Sequence, residues 1–294
     1  KSLKDIVVKY KTMRGFSSPY VPGWDCHGLP VEHQLFKELK INKYQIEQVA
    51  FRKKAYEYAL KYVAIQKEEF KRLGVLGDWD NPYLTLSREY EEAIVRSFSE
   101  LVKKGYIYHG LKPVNWCYTC ETALAEAEVE YEDHTSPSIF VKFKLEAQKD
   151  FLDDSFLVIW TTTPWTLIGN VAVAVHPDFI YSYIKTEKGN LIVANVRLAV
   201  LPRLGIERYE VIREIKGKDL ESLVYAHPFG LRKGKVVLAD YVSGEEGSGL
   251  VHTAPGHGQE DYFTGIKYKL DIIMPVDAKG NFDASAGEFQ GLNV

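Results

Sequence analysis

The periodicity of apolar residues changes near residue 136, and that change constrains the fold more than any single motif does. Upstream, apolar side chains recur every three or four residues, the spacing of one helix face. Helices are predicted over 1–14, where Leu3, Ile6, Val7 and Tyr10 share a face, over 31–39, over 45–73, and from a Ser87 cap to about 104. Glu89, Glu91 and Glu92 suit the positive end of the last one. Downstream, β-branched and aromatic runs predict strands over 139–145, 156–160, 171–175, 180–185, 191–196, 236–239, 250–253 and 272–276. Gly, Pro, Asn and Asp clusters separate them. Short helices are expected over 196–204, 219–223 and 259–268. The chain therefore reads as α/β with two domains, 1–135 and a β-rich α+β domain over 136–294.

The chain has 294 residues, 46% hydrophobic and 26% charged, an ordinary globular composition with no apolar run long enough to cross a bilayer. Lys1 to Lys11 is too charged for a signal peptide. Three cysteines, two of them in one CxxC, fit a reducing compartment, and the cytoplasm is expected. The net charge of −3 is unevenly spread: residues 1–75 carry 15 Lys/Arg against 8 Asp/Glu, leaving the remainder acidic. A basic front suits a polyanion partner, although solvated helix faces are often Lys-rich as well.

Four motifs carry chemistry. The predicted strand Phe156–Trp160 runs into Thr161-Thr162-Thr163-Pro164-Trp165-Thr166-Leu167, a hydroxyl shelf able to hydrogen-bond a sugar, an ester or a water. A Thr-rich strand end solvated at the surface has the same composition. Gly23-Trp24-Asp25-Cys26-His27-Gly28-Leu29-Pro30 offers close backbone approach and, in Asp25, a carboxylate for a cationic group. It also reads as a turn with a capping Asp25 and a half-buried His27. Cys117-Tyr118-Thr119-Cys120 has the spacing of half a zinc site, since a structural zinc takes four ligands. A reduced pair without metal is the alternative. Gly247 to Asp261 feeds a strand into a Gly-rich turn and a helix, with His252, His257, Glu260 and Asp261 close together. The HExxH, GxGxxG and P-loop patterns are missing from it. Asp261 reads as a helix cap, an anchor for a ligand ammonium, or both.

Taken together, KSLKDIVVKYKTMRGF, GWDCHGLPVE, VNWCYTCETALAEAEVEYEDHTSPSI, WTTTPWTL and GLVHTAPGHGQEDY resemble the isoleucyl-tRNA synthetases of class I. Valyl and leucyl relatives usually carry an Arg after two threonines of the shelf and a PAHD-like element where this chain has Pro255-Gly256-His257-Gly258. The resemblance implies part of a Rossmann-type catalytic core with a helical stem over 1–135 and an inserted editing domain over 136–294. It implies that Asp25, with Trp24 and His27, belongs to the synthetic site, where Asp25 holds the amino acid's ammonium. Thr161, Thr162, Thr163 and Asn170 would form one wall of the editing pocket. His252 and Asp261 would form the other, with Asp261 on the ammonium of the misattached amino acid. Ile168-Gly169 departs from the Pro-Ala that usually precedes the Asn, which weakens the placement of Asn170.

In the family, an HIGH element precedes the equivalent of Lys1, and KMSKS and a second CxxC lie beyond Val294. The segment alone is therefore expected not to adenylate isoleucine. The implied partners are the tRNA for isoleucine, isoleucine, valine and ATP with Mg as substrates, zinc at Cys117 and Cys120 in the complete enzyme, and no cofactor for editing. No membrane partner is expected, and the expected state is a monomer. The chemical need for editing is plain. One methylene in an apolar pocket discriminates by only about 1–3 kcal/mol, for which isoleucine against valine is itself the standard illustration. A second, smaller site hydrolysing the valyl ester solves this, by direct water attack, because no Ser-His-Asp or Cys-His set is apparent. His252 would be a general base or, as the favoured reading, an orienting group. A tRNA-binding module with a zinc knuckle and no turnover, or a valyl relative, are the competing readings.

Overall fold

The computed structural model describes residues 2–147 and 150–294. Their contacts divide into two compact units, Lys1–His109 and Gly110–Val294. The first contains helices α1 (Ser2–Met13), α2 (Leu29–Leu39), α3 (Gln48–Arg72) and α4 (Arg88–Lys103) and two short parallel strands, β1 (Gly23–Trp24) and β2 (Tyr83–Leu84), against which α3 packs Ala59, Leu60 and Val63. Helix α3 begins at Gln48 rather than 45 because Glu47 caps it. Its carboxylate accepts from the Val49 and Ala50 N–H groups at 2.9 and 2.8 Å, satisfying donors that have no intrahelical partner. Ser87 caps α4 as its sequence predicts, accepting from Tyr90 N at 3.3 Å. Phe36 stacks on Phe51, with ring centroids 4.2 Å apart, and joins α2 to α3. The Tyr83 ring packs over Gly23, where a Cβ would lie 2.0 Å from it and displace it.

The second unit is built on two sheets sharing one core. Strands β3 (Asn115–Cys117) and β4 (Thr122–Leu124) form a separate hairpin with the CxxC at its turn. Segment 110–135 groups with this unit rather than the first. Trp116 Nε1 donates to Ala278 O at 2.9 Å, and the Tyr262 hydroxyl donates to Leu111 O. Strands β5 (Ile139–Lys144), β6 (Ser155–Thr161), β7 (Ala172–Val175), β8 (Ile180–Thr186), β9 (Gly189–Ala194) and β10 (Tyr209–Lys216) follow. Then come β11 (Val224–Ala226), β12 (Lys233–Leu238), β13 (Leu250–Thr253) and helix α5 (Gln259–Tyr268). The five-stranded sheet has the order β10-β8-β9-β6-β5, and the four-stranded sheet β11-β12-β7-β13.

The continuous apolar run of β6 is explained by burial on both faces. Leu157 and Ile159 join the shared core with Val173, Val175, Tyr181, Ile192, Tyr225 and Leu250. Val158 faces the other way, onto Val200, Leu201 and Ile206 from the 3₁₀ segment Asn195–Leu204 and the turn after it. Strand β7 divides similarly: its valines enter the core, while Ala172 and Ala174 pack with Val237, Ala239 and Val242.

The expected helix at 259–268 is observed, and the one at 219–223 is a 3₁₀ turn over Gly217–Leu220. The strand predicted over 272–276 does not form. That segment has one isolated bridge, Val276 to Phe282, and Val276 packs beside Ile168 and Ala286, while Met274 is exposed. Strand β10, with four charges in eight residues, was not anticipated. Among the described residues it is an edge strand that pairs with β8 alone, where charged side chains discourage further pairing.

Candidate functional site

The hydroxyl shelf starts where β6 ends. Thr161 Oγ1 accepts from Thr163 N at 3.1 Å and lies 3.4 Å from Thr163 Oγ1. Pro164 then stops the ladder and opens a 3₁₀ turn over Pro164–Gly169. Within it the buried Thr166 donates its hydroxyl to Thr163 O at 2.8 Å. With its proton so committed, the Thr166 oxygen accepts from His252 Nε2 at 3.0 Å. The Nε2–H tautomer of His252 follows from this network, which leaves Nδ1 as a bare acceptor, buried without a hydrogen-bond partner.

His252 reaches that position because β13 pairs antiparallel with β7, His252 opposite Val173. Burial, together with His257 and His227, pushes its imidazole down to about 4. A group so weakly basic is neutral near pH 7 and a poor proton acceptor, which favours orientation over general-base work. His257 Nε2 is likewise buried and unpartnered, and burial also pushes that ring down to about 4. His257 meets Trp165 edge to face at 4.9 Å. A Cβ on Gly169 would lie 3.0 Å from His257 Nε2, so the departure at this position makes room for the ring.

Asp261 is the third residue of α5, near the helix's positive end. Its Oδ2 accepts from Ala254 N at 2.9 Å, seven residues upstream, and its Oδ1 accepts from the Tyr241 hydroxyl at 3.4 Å. It therefore ties the 254–258 turn to the helix, and the long Oδ1 contact leaves acceptor capacity for a ligand cation. Burial raises the carboxyl's pKa, against the lowering pull of the Ala254 N–H. Sequence reasoning did not single out Tyr241, and it named Thr166 only as part of the shelf. The i, i+3 spacing from Thr163 was the available signal for Thr166. Tyr241 had none.

The shelf and the His252–Asp261 turn thus meet through Thr166, His252, Trp165 and His257. Thr162 is half-buried at the shelf. Asn170 is placed differently from the threonines. It is 1% exposed, and both ends of its amide are engaged within the protein: Nδ2 donates to Ala172 O at 2.9 Å, and Oδ1 accepts from the Tyr225 hydroxyl at 2.6 Å. Here its side chain braces the wall instead of facing a ligand.

In the first unit, Trp24 and Asp25 line a cavity of about 630 Å³ together with Gln66, Phe70, Trp79 and Tyr83. Trp24 Nε1 donates to Gln66 Oε1 at 2.9 Å. Asp25 is exposed and accepts from Thr85 Oγ1 and from His27 N, both at 3.4 Å. His27 turns to Thr85 O at 3.2 Å and is outside that lining.

At the CxxC, Cys120 N donates to Cys117 Sγ at 3.3 Å. This contact is the leading cause that holds the Cys117 thiol below its usual range, as a thiolate ligand requires. Among the described residues no group of three or more His, Cys, Asp or Glu side chains could hold a metal.

A sequence profile of the tRNA synthetases class I (I, L, M and V) matches residues 1–263. The chain belongs to this family. It is 55% identical over 296 residues to an isoleucine--tRNA ligase of Natranaerobius thermophilus, covering 99% of this chain and 32% of that protein. It is 54% identical over 295 residues to the isoleucine--tRNA ligase of Carboxydothermus hydrogenoformans, covering 100% and 32%. The chain thus spans about a third of the length of these curated relatives. A solved structure, GlLeuRS-CP1, overlaps 48% of this chain and 70% of its own with a TM-score of 0.40 at 18% identity, a likeness too slight to bear on this site. No helix among the described residues is long and apolar enough to cross a membrane.

Proposed function

We propose that this chain is a stretch of an isoleucine--tRNA ligase whose second unit hydrolyses valine misattached to the tRNA for isoleucine. The observation that carries this reading is the junction of two polar walls at Thr166 and His252, 3.0 Å apart, with the half-buried Asp261 tied by Ala254 N to the turn that follows His252. Asp261 takes the ammonium of the valyl ester. The hydroxyls of Thr161, Thr162 and Thr163 orient the terminal ribose and the ester carbonyl, and His252, through its bond to Thr166, holds the shelf in place. Water oxygen adds to the ester carbon, the carbon–oxygen bond to the ribose breaks, and the ribose oxygen leaves with a proton. Valine and intact tRNA result. Held groups in a partly dry site supply the rate through positioning and charge stabilisation.

In the first unit, Asp25 and Trp24 serve the synthetic site that takes isoleucine and ATP with Mg in the complete enzyme. Cys117 and Cys120 supply two thiolates to a structural zinc, with the other ligands drawn from outside this stretch. The test is incubation of the 294-residue chain with valyl- and isoleucyl-tRNA for isoleucine. Selective release of valine, lost in Asp261→Ala, supports the proposal. Binding of tRNA without release would make the chain a binding module, and release unaltered by Asp261→Ala would show that the anchor lies elsewhere.

A further inference from the structure

The shelf segment 164–170 is held from outside by a hairpin that none of the motifs includes. Its 3₁₀ turn closes with Thr166 N on Thr163 O and Asn170 N on Leu167 O, so the later carbonyls need other donors. Arg232, between β11 and β12, donates from Nη1 to Ile168 O at 2.7 Å and to Asn170 O at 3.0 Å. His227 lies on the same hairpin and bonds to Arg232 O through its own N–H at 2.9 Å. Its Nε2 meets Leu167 O at 2.8 Å, while Nδ1 accepts from Phe229 N at 3.2 Å. That acceptor role fixes the proton on Nε2, which points it at the carbonyl. Tyr225 completes the set through Asn170 Oδ1. Three side-chain donors of one hairpin, Tyr225, His227 and Arg232, therefore converge on four acceptors of one short turn.

A buried histidine and a half-buried arginine are costly to keep merely as packing, since apolar residues fill such space more cheaply. Their hydrogen bonds instead determine where one backbone segment lies, and that segment presents Thr166 to His252. We infer that Arg232 and His227 are positioning residues. They clamp the carbonyls of 167, 168 and 170 and thereby set the shelf against His252, and neither touches the substrate. Their catalytic consequence rests on the editing reading proposed above. The clamping of the segment does not.

The experiment compares Arg232→Met and Arg232→Lys in the 294-residue chain. The first readout is hydrogen exchange at the amides of Thr166 and Asn170, measured against those of β9. The second is kcat and KM for release of valine from valyl-tRNA for isoleucine. Arg232→Met is expected to accelerate exchange at the two shelf amides at least tenfold while β9 stays protected. It should lower kcat by about 10- to 100-fold, the scale of a misplacement near 1 Å, with KM within twofold. Arg232→Lys, which retains a cationic donor, should recover part of both. Shelf exchange unchanged in Arg232→Met, or accelerated equally in β9, would overturn the clamp. A normal kcat alongside loosened exchange would overturn the positioning role of Arg232 in the reaction. If the unsubstituted chain releases no valine while the exchange pattern holds, the clamp stands and the editing reading fails.

Discussion

Replacing Thr166 with valine removes one hydroxyl and almost nothing else, so its cost can be worked from the contacts. Thr166 and His252 are 6% and 7% exposed, and water cannot readily replace what is lost. The His252 Nε2–H loses its only acceptor, and a buried donor left unsatisfied costs about 1–3 kcal/mol. Thr163 O loses one of two donors but keeps the Thr166 N–H at 3.1 Å, a milder loss of about 0.5–1 kcal/mol. Valine's second methyl recovers a little through burial. A net loss of about 2–3 kcal/mol follows for the second unit. Thr166→Ser keeps the hydroxyl and loses one methyl, at about 1 kcal/mol.

Urea unfolding followed on the β-rich unit should therefore rank wild type above serine above valine. Valine release should follow the same order, since His252 loses the partner that sets its tautomer. A valine variant within about 0.5 kcal/mol of wild type, or more stable than the serine variant, would refute the relay from Thr163 through Thr166 to His252.

Acid should weaken the second unit through its histidines. His252 and His257, both pushed down to about 4, stay neutral in the fold while an unfolded histidine protonates near 6.5. The unfolded state therefore binds more protons between those values, and stability is lost as pH falls from about 6.5 to 4. Asp261, raised by burial, offsets part of this at the acid end. His252→Gln should flatten the stability profile, and an unchanged profile would count against the burial argument. Tyr225→Phe leaves the buried Asn170 Oδ1 without its 2.6 Å donor and should cost about 1–3 kcal/mol in chemical denaturation. A neutral result would mean that water reaches Asn170. Iodoacetamide near pH 7 should alkylate Cys117, whose thiol is lowered, faster than Cys26, which burial raises. Added zinc should slow only the former if the knuckle binds metal, and mass spectrometry of the labelled peptides reads both outcomes.

Much of the second unit was legible because its signals are local. The run from Phe156 to Trp160 had to be a buried strand, and the turn residues before Gln259 had to release a helix. Strand β10 was hidden because an edge strand that buries little need not alternate cleanly. The apolar segment 272–276 misled because packing between a turn and a 3₁₀ segment leaves the same composition as a strand. At the site, Asp261 was legible from its place at a helix start. The clamp at Arg232 and His227 was not, since both donors meet carbonyls 60 to 64 residues earlier in the chain.

The order of residues alone determined most of the segments that are helix or strand, where hydroxyls and imidazoles concentrate, and which family the motifs resemble. It could not say which threonine meets His252, because that depends on β13 pairing with β7 in one register and β6 handing its end to a 3₁₀ turn. Nor could it say that the Asn170 amide turns inward to Tyr225. A polar side chain's task is set by whichever donor or acceptor burial brings within 3 Å, and that neighbour is chosen by the packing of the whole unit.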